Sequence, residues 1–506
     1  MADPGTSEPG SPASRGQATD YNTGRVVYLA AVAALGGFLF GFDSAVINGA
    51  VDALQSKFDI SSGFIGFVVA IALLGSAVGA WFAGGLANRF GRRPVMVVAA
   101  ALFLVAAIGQ AFPVGVTDLM FWRFLGGTGI GVASVIAPMY IAEIAPAHLR
   151  GRLGSLQQLA IVSGIFISAV TNYIILNLAT NDAADVATPE ARTEWLLGLE
   201  AWQWMFLVMI VPALMYGIGA LSLPESPRYL VSRGRLDEAA DVLGTVYTTD
   251  QHAKVDEIRS TMDLEHKPSY RSLLGGRFGL LPIVWIGVLL SMFQQFVGIN
   301  VIFYYSNTIW ASVGFGEEQA FLITLITNTT NVVVTLIAIS LVDRVGRKPL
   351  LLTGSAGMAV TLGAMALLFG TAPECTADLV SESLAGCTST DDVGNPYLTG
   401  PAGPIAVIAA NLYVVFFGVS WGPVVWVLLG EIFPNKIRAA ALAVAAAAQW
   451  IANFLVTMSF PELASFNLGF AYALYAVMAV LSFGFVLKAV QETKGKSLEE
   501  LSRINS

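Results

Sequence analysis

The string Arg-x-Gly-Arg-Arg/Lys-Pro stands twice in this chain, as RFGRRP over Arg89–Pro94 and as RVGRKP over Arg344–Pro349, each time between two long apolar runs. A second string, Glu-Ile-x-Pro-x-x-x-Arg, is also doubled, as EIAPAHLR over Glu143–Arg150 and EIFPNKIR over Glu431–Arg438. The copies lie 255 residues apart for the first string and 288 for the second, and one longer polar insert in the second half absorbs the difference. Such a chain is a tandem duplication of one unit, and the apolar runs make that unit a membrane one.

Composition agrees: 55% of the 506 residues are hydrophobic and only 12% charged, more apolar surface than a water-soluble fold would need. A helix needs about 20 apolar residues to cross the roughly 30 Å hydrocarbon layer. Twelve stretches qualify, from 26–48 at the start to 467–490 at the end. They are continuously apolar rather than alternating, which argues against a β-barrel. The expected fold is all-α, twelve transmembrane helices in two pseudo-symmetric halves over 25–223 and 280–490, joined by a cytoplasmic helical linker over 224–279. That linker contains the amphipathic string LDEAADVL.

With a cytoplasmic N-terminus, 24 of the 27 Lys and Arg residues face the cytoplasm; Lys57 and Arg192 fall in outer loops and Arg123 inside a helix. The positive-inside rule then places both termini in the cytoplasm. Residues 1–24 are rich in Gly, Ser, Pro and Ala and are expected to be a disordered tail with no signal peptide; 491–506 form a second tail. A net charge of -8 argues against nucleic-acid binding. The only two cysteines, Cys375 and Cys387, share one outer loop where the compartment permits a disulfide, although sequence gives no distance between them.

Two sets of polar residues do not belong in lipid. Asp43, in the first apolar stretch, and Arg123, in the fourth, would neutralise each other as a pair. The pair is either a permanent structural tie or a protonation site, since burial opposes ionisation and a guanidinium favours it. The second set is neutral: Gln157, Gln158, Gln294, Gln295, Asn300, Asn328, Asn331, Gln449 and Asn453. Amides both donate and accept, as sugar hydroxyls do, and their lack of charge argues against an ionic ligand. In an unbroken helix Gln294 and Asn300 would point about 240° apart, but Gly298 between them permits an unwound segment of the kind that lines transporter cavities. Phe40, Tyr304, Tyr305, Trp426 and Trp450 interleave with the amides and could stack on a pyranose, although such residues also serve as packing. Amides alone can be interhelical glue, but contributions from four helices favour a site. No Walker lysine, metal-ligand cluster or hydrolase nucleophile motif occurs, so neither catalysis nor a cofactor is expected.

Over about residues 25–500 the chain resembles the sugar porter branch of the major facilitator superfamily. The residues that carry the likeness are RFGRR and RVGRK, PESPRYL from Pro224, QQFVGINVIFYY from Gln294, WGPVVWVLLGEIFP from Trp421, and ETKGKSLEE near the end. The resemblance extends to bacterial proton-coupled sugar symporters of the xylose type and, more distantly, to mammalian glucose facilitators. It implies that Asp43 is the proton-coupling carboxylate and Arg123 its partner. It also implies that Gln158, Gln294, Gln295, Asn300, Asn331, Trp426 and Gln449 contact sugar, with Gly422 beside them and Phe40, Tyr304 and Trp450 around them. The chain departs from the xylose symporter at Ile165, where a glutamine is replaced, and this tilts the expectation towards a glucose-like hexose, with xylose next. Asn88 stands where the superfamily commonly has an acid, whereas Asp343 keeps it; Gln491 replaces a common proline.

The implied activity is import of a monosaccharide with a proton by a monomeric, multi-pass protein of the plasma or bacterial inner membrane, driven by the proton gradient. Arg89, Arg92, Glu143 and Arg150, with Arg344, Arg347, Glu431 and Arg438, would form an inner gate that breaks as the halves rock. A uniporter, with Asp43 structural, and a non-transporting sugar sensor are the alternatives.

Overall fold

The structure is a computed structural model, and it describes residues 21–146, 149–183, 196–248, 251–264, 270–275, 279–375, 396–434 and 437–494. The first half comprises α1 (Thr23–Val46), α2 (Val51–Phe58), α3 (Ser62–Phe90), α4 (Arg92–Ala111), α5 (Val116–Ile144), α6 (Arg150–Ala183), α7 (Ala201–Leu207) and α8 (Ile210–Ser222). Three short helices follow, α9 (Pro227–Ser232), α10 (Leu236–Val246) and α11 (Gln251–Leu264). The second half holds α12 (Pro282–Phe296), α13 (Ile299–Tyr304), α14 (Ser306–Ala311), α15 (Glu317–Val345), α16 (Arg347–Gly370), α17 (Ala402–Val419), α18 (Trp421–Ile432) and α19 (Arg438–Ala489). Among the described residues, eleven stretches are long and apolar enough to cross a membrane. The last of them leaves helical geometry at Asn467 (φ −170°, ψ 115°), so α19 makes two crossings and the total is twelve. The Asn467 side chain caps the restart by accepting from the Phe470 N–H at 2.8 Å.

Lipid supplies no hydrophobic drive between apolar helices, so their association depends on close packing. The most extensive seam joins α3 to α5. A Cβ at Gly75, Gly79, Gly127 or Gly131 would lie 1.9 to 2.1 Å from a main-chain carbonyl oxygen of the facing helix, which leaves glycine alone able to fit. The halves meet along α3 with α19 and α6 with α15.

At the end of α1 the Asn48 Oδ1 accepts from the Asn307 N–H at 3.1 Å and the Asp52 Oδ1 from the Thr308 hydroxyl at 3.0 Å. The two halves are thus joined at the mouth remote from the arginine strings. At the other end Asn22 caps α1, accepting from the Arg25 N–H at 3.0 Å, and its own N–H donates to the Val246 carbonyl at 2.7 Å. Of the tail expected over 1–24, the segment from Tyr21 is therefore tied to the linker helices, and residues 1–20 lie outside the described residues. Leu230, Val231, Ala239, Ala240, Leu243 and Val255 form a small separate core among α9, α10 and α11. Cys375 is disulfide-bonded, while Cys387 lies outside the described residues.

Candidate functional site

Two membrane crossings of the second half are broken where the amides cluster. The crossing that begins with α12 stops at Phe296; Gly298 takes φ +83°, and the chain restarts as α13 and again as α14. A Cβ at Gly298 would meet the Tyr475 ring at 2.7 Å, so backbone conformation and space both require glycine. The carbonyl of Val297, freed by the break, accepts from the Tyr413 hydroxyl at 2.8 Å. The second break falls at Ser420 (φ −128°, ψ −90°), between α17 and α18.

A chain of hydrogen bonds links these breaks. Asn300 Nδ2 donates to Gln295 Oε1 at 2.5 Å, Gln295 Nε2 to Gln294 Oε1 at 3.4 Å, and Gln294 Nε2 to the carbonyls of Trp421 and Gly422 at 2.8 and 3.2 Å. Four of the residues singled out in the sequence, Gln294, Gln295, Asn300 and Gly422, are brought together here. Asn331 is buried on α15, and Gln158 on α6 and Gln449 on α19 are half-buried. The Oε1 atoms of Gln157 and Gln449 and the Oδ1 of Asn328 are buried without a hydrogen-bond partner. Such atoms are costly unless something donates to them. Phe40 and Trp450 pack across the two halves with ring centroids 5.4 Å apart. Trp426 is 44% exposed.

Asp43 and Arg123 are both buried and line one cavity of about 10 Å³, with Tyr304, Ser44 and Val69 among its walls. That space is near the lower limit for a single water. The direct ion pair expected from the sequence is not among the salt bridges of the described residues. Arg123 instead donates from Nε to the Val68 carbonyl at 3.1 Å, from Nη2 to the Val69 carbonyl at 3.0 Å and from Nη1 to Gln110 Oε1 at 3.2 Å. Three acceptors thus take three of the five guanidinium N–H groups, and Asp43 Oδ1 has no partner.

On the arginine face the two halves repeat one arrangement atom for atom. Gly91 and Gly346 turn the chain at φ +99° and +107°. A Cβ there would meet Glu225 Oε2 at 2.2 Å or Glu492 Oε2 at 2.8 Å. In that space Glu225 accepts from the N–H groups of Arg92 and Arg93, and Glu492 from those of Arg347 and Lys348, satisfying the open N-termini of α4 and α16. Arg92 then makes two bonds to Glu143 (2.9 and 2.7 Å) and Arg347 two to Glu431 (3.2 and 2.8 Å). Each glutamate also accepts from a hydroxyl at 2.5 Å, Ser226 in the first half and Thr493 in the second.

These ion pairs lie within each half and none of the described salt bridges joins the halves, whereas an inner gate requires a contact that forms between them. Arg89 and Arg344 form no described ion pair; the Arg89 guanidinium lies over the Phe90 ring at 5.2 Å, and the Arg344 carbonyl accepts from Lys494 Nζ. The side chains of Arg150 and Arg438 lie outside what is described. Glu225, Ser226, Glu492 and Thr493 were not among the residues singled out for the gate. Their signal was present as a Glu-Ser/Thr dipeptide just after the sixth and twelfth apolar runs. Glu492 lies outside the membrane; burial pushes its carboxyl up, but the N–H groups of Lys494, Arg347, Lys348 and Thr493 together outweigh this and hold its pKa below the ordinary glutamate value.

Comparison with known proteins agrees with this architecture. The model of the family described as "Sugar (and other) transporter" matches residues 29–504. The chain is 54% identical over 492 residues to the glucose transport protein of Synechocystis, covering 97% of this chain and 100% of that protein. It is 37% identical to the D-xylose-proton symporter of Escherichia coli K12, covering 96% and 97%. A solved structure of the proton:xylose symporter bound to 6-bromo-6-deoxy-D-glucose superimposes with a TM-score of 0.74 at 36% identity, covering 96% of this chain and all of that one. The chain belongs to the sugar porters of the major facilitator superfamily and is a sugar transporter rather than an enzyme.

Proposed function

We propose that the protein is a proton-coupled symporter that imports a neutral monosaccharide by alternating access, with a glucose-like hexose preferred and xylose next. The observation that carries the reading is the Asp43 carboxyl, buried beside Arg123 with an unpartnered oxygen in a cavity of about 10 Å³. A buried carboxylate that no donor fully satisfies gains more from taking a proton than one held in a tight ion pair. The amide chain across the broken helices supplies neutral donors and acceptors for sugar hydroxyls, and the orphaned oxygens of Gln157, Asn328 and Gln449 await donors. The hexose preference is supported by the 54% identical glucose transport protein and by the glucose analogue bound in the related symporter.

In this reading a protonated Asp43 and bound sugar together favour rocking of the halves. The mouth closed by Asn48, Asp52, Asn307 and Thr308 is the outer one, and the arginine face is cytoplasmic. Concentration of positive charge on that face supports placing both termini in the cytoplasm; the protein is read as a monomer of a plasma or bacterial inner membrane.

The test is sugar accumulation in proteoliposomes with and without an imposed pH gradient. Parent protein should accumulate glucose only with the gradient, and Asp43→Asn should exchange sugar but not accumulate it. Equilibration of glucose without accumulation in the parent whatever the gradient, with Asp43→Asn transporting equally well, indicates a uniporter. Gln449→Leu should weaken sugar binding about tenfold or more, the loss of one hydrogen bond worth about 1.4 kcal/mol.

A further inference from the structure

Gln110 stands between the two charges without having been part of any motif. It sits near the end of α4 and is fully buried. Its Oε1 accepts from Arg123 Nη1 at 3.2 Å, and its Nε2 is buried with no partner. The unpartnered Oδ1 of Asp43 and this unpartnered Nε2 flank the same bare glycine. A Cβ at Gly126 would lie 3.3 Å from Gln110 Nε2 and 3.9 Å from Asp43 Oδ1. The amide N–H of Gln110 and the carboxyl oxygen of Asp43, neither closed by a hydrogen bond of its own, thus face one small space within reach of each other.

We propose that Gln110 is a positioning residue for proton coupling: an amide bridge that holds the Arg123 guanidinium back from Asp43 through its oxygen and offers its N–H to the carboxylate when Asp43 is ionised. The bridge lets Asp43 exchange its proton without exchanging a direct ion pair, and an amide suits the role because it donates at one end and accepts at the other. The titratable or charged groups around Asp43 are Arg123 from α5 and Tyr304 from α13, with Tyr305 within electrostatic reach of Arg123; α4 contributes only the neutral Gln110. This inference rests on the symport reading above.

The experiment measures the external pH giving half-maximal glucose uptake in proteoliposomes for the parent, Gln110→Met and Gln110→Glu, each also with Asp43→Asn. Gln110→Met frees the guanidinium to pair with Asp43, so the half-maximal pH should fall by about one unit. Gln110→Glu retains the guanidinium and adds a like charge beside Asp43, so the half-maximal pH should rise by about as much. Gln110→Met should create no pH dependence in the Asp43→Asn background, and any dependence that Gln110→Glu brings there belongs to its own carboxyl and is subtracted. Glucose exchange at saturating sugar, measured in the same vesicles, reports folding separately. Shifts of opposite sign support the bridge, because a packing role alone moves both variants alike. A coupled parent whose two variants shift in one direction or not at all overturns this proposal alone. A parent indifferent to the gradient overturns the symport reading and the bridge with it.

Discussion

Replacing Glu143 with Gln should destabilise the protein more than the equivalent change at Glu431, although both glutamates make the same three bonds. The difference is burial: the side chains of Arg92 and Glu143 are 7% and 9% exposed, and those of Arg347 and Glu431 are 11% and 29%. Removing one partner of a buried ion pair typically costs about 3–5 kcal/mol, because the remaining charge is left uncompensated, whereas exposed pairs contribute about 1 kcal/mol or less. Glutamine keeps the shape and one acceptor, so Glu143→Gln should cost about 3 kcal/mol, at the lower end of the buried range. Water already reaches Glu431, and Glu431→Gln should cost about 1–2 kcal/mol, between the two regimes. Equilibrium unfolding of purified protein in mixed micelles, followed by tryptophan fluorescence, measures both. Since each pair lies within one half, the Glu143→Gln penalty should also be the same with and without saturating glucose. A Glu431→Gln penalty equal to or above that of Glu143→Gln refutes the burial reasoning. A penalty that disappears when sugar is added refutes the assignment of the pair to one rigid half.

Two further outcomes follow from the ends of the molecule. Thr308→Val removes the hydroxyl bond to the exposed Asp52 carboxylate and should shift the balance towards the state open at that mouth by about two- to tenfold, given about 0.5–1.4 kcal/mol for such a bond; spin-label distances between α2 and α14 report the populations, and an unchanged distribution rejects the latch. The depressed pKa of Glu492 means that its contribution is present above the ordinary glutamate pKa and is lost only as pH falls through the lower folded value. Hydrogen exchange at the Arg347 and Lys348 amides should therefore stay protected from neutral pH down to about 4.5, after correction for intrinsic rates, and Glu492→Gln should expose both amides at pH 7.

The membrane class, the number of crossings and the duplication were legible in the sequence because each depends on runs and repeats that local chemistry imposes. Twenty apolar residues cross a bilayer whatever their neighbours, and Gly91 and Gly346 announce a turn whatever packs on it. The break at Gly298 was also legible, since an amide on each side needs the unwound segment to face one cavity. The disposition of Asp43 and Arg123 was not, because a guanidinium has five donors and chooses among every acceptor within reach. Val68, Val69 and Gln110, from two other helices, hold three of those five donors.

The arginine strings show the same division. Their doubling revealed a repeat and a charged face, and that much is local: charge and periodicity are properties of the chain. Which glutamate each arginine holds, and that both pairs stay inside their own half, depends on how helices separated by fifty or more residues are brought together. Glu225 and Glu492 lie still further away, yet they occupy the space that the motif glycines leave open. The sequence carried the pieces of that anchor twice; packing alone made them one structure, because a hydrogen bond is specified by position in space and not by distance along the chain.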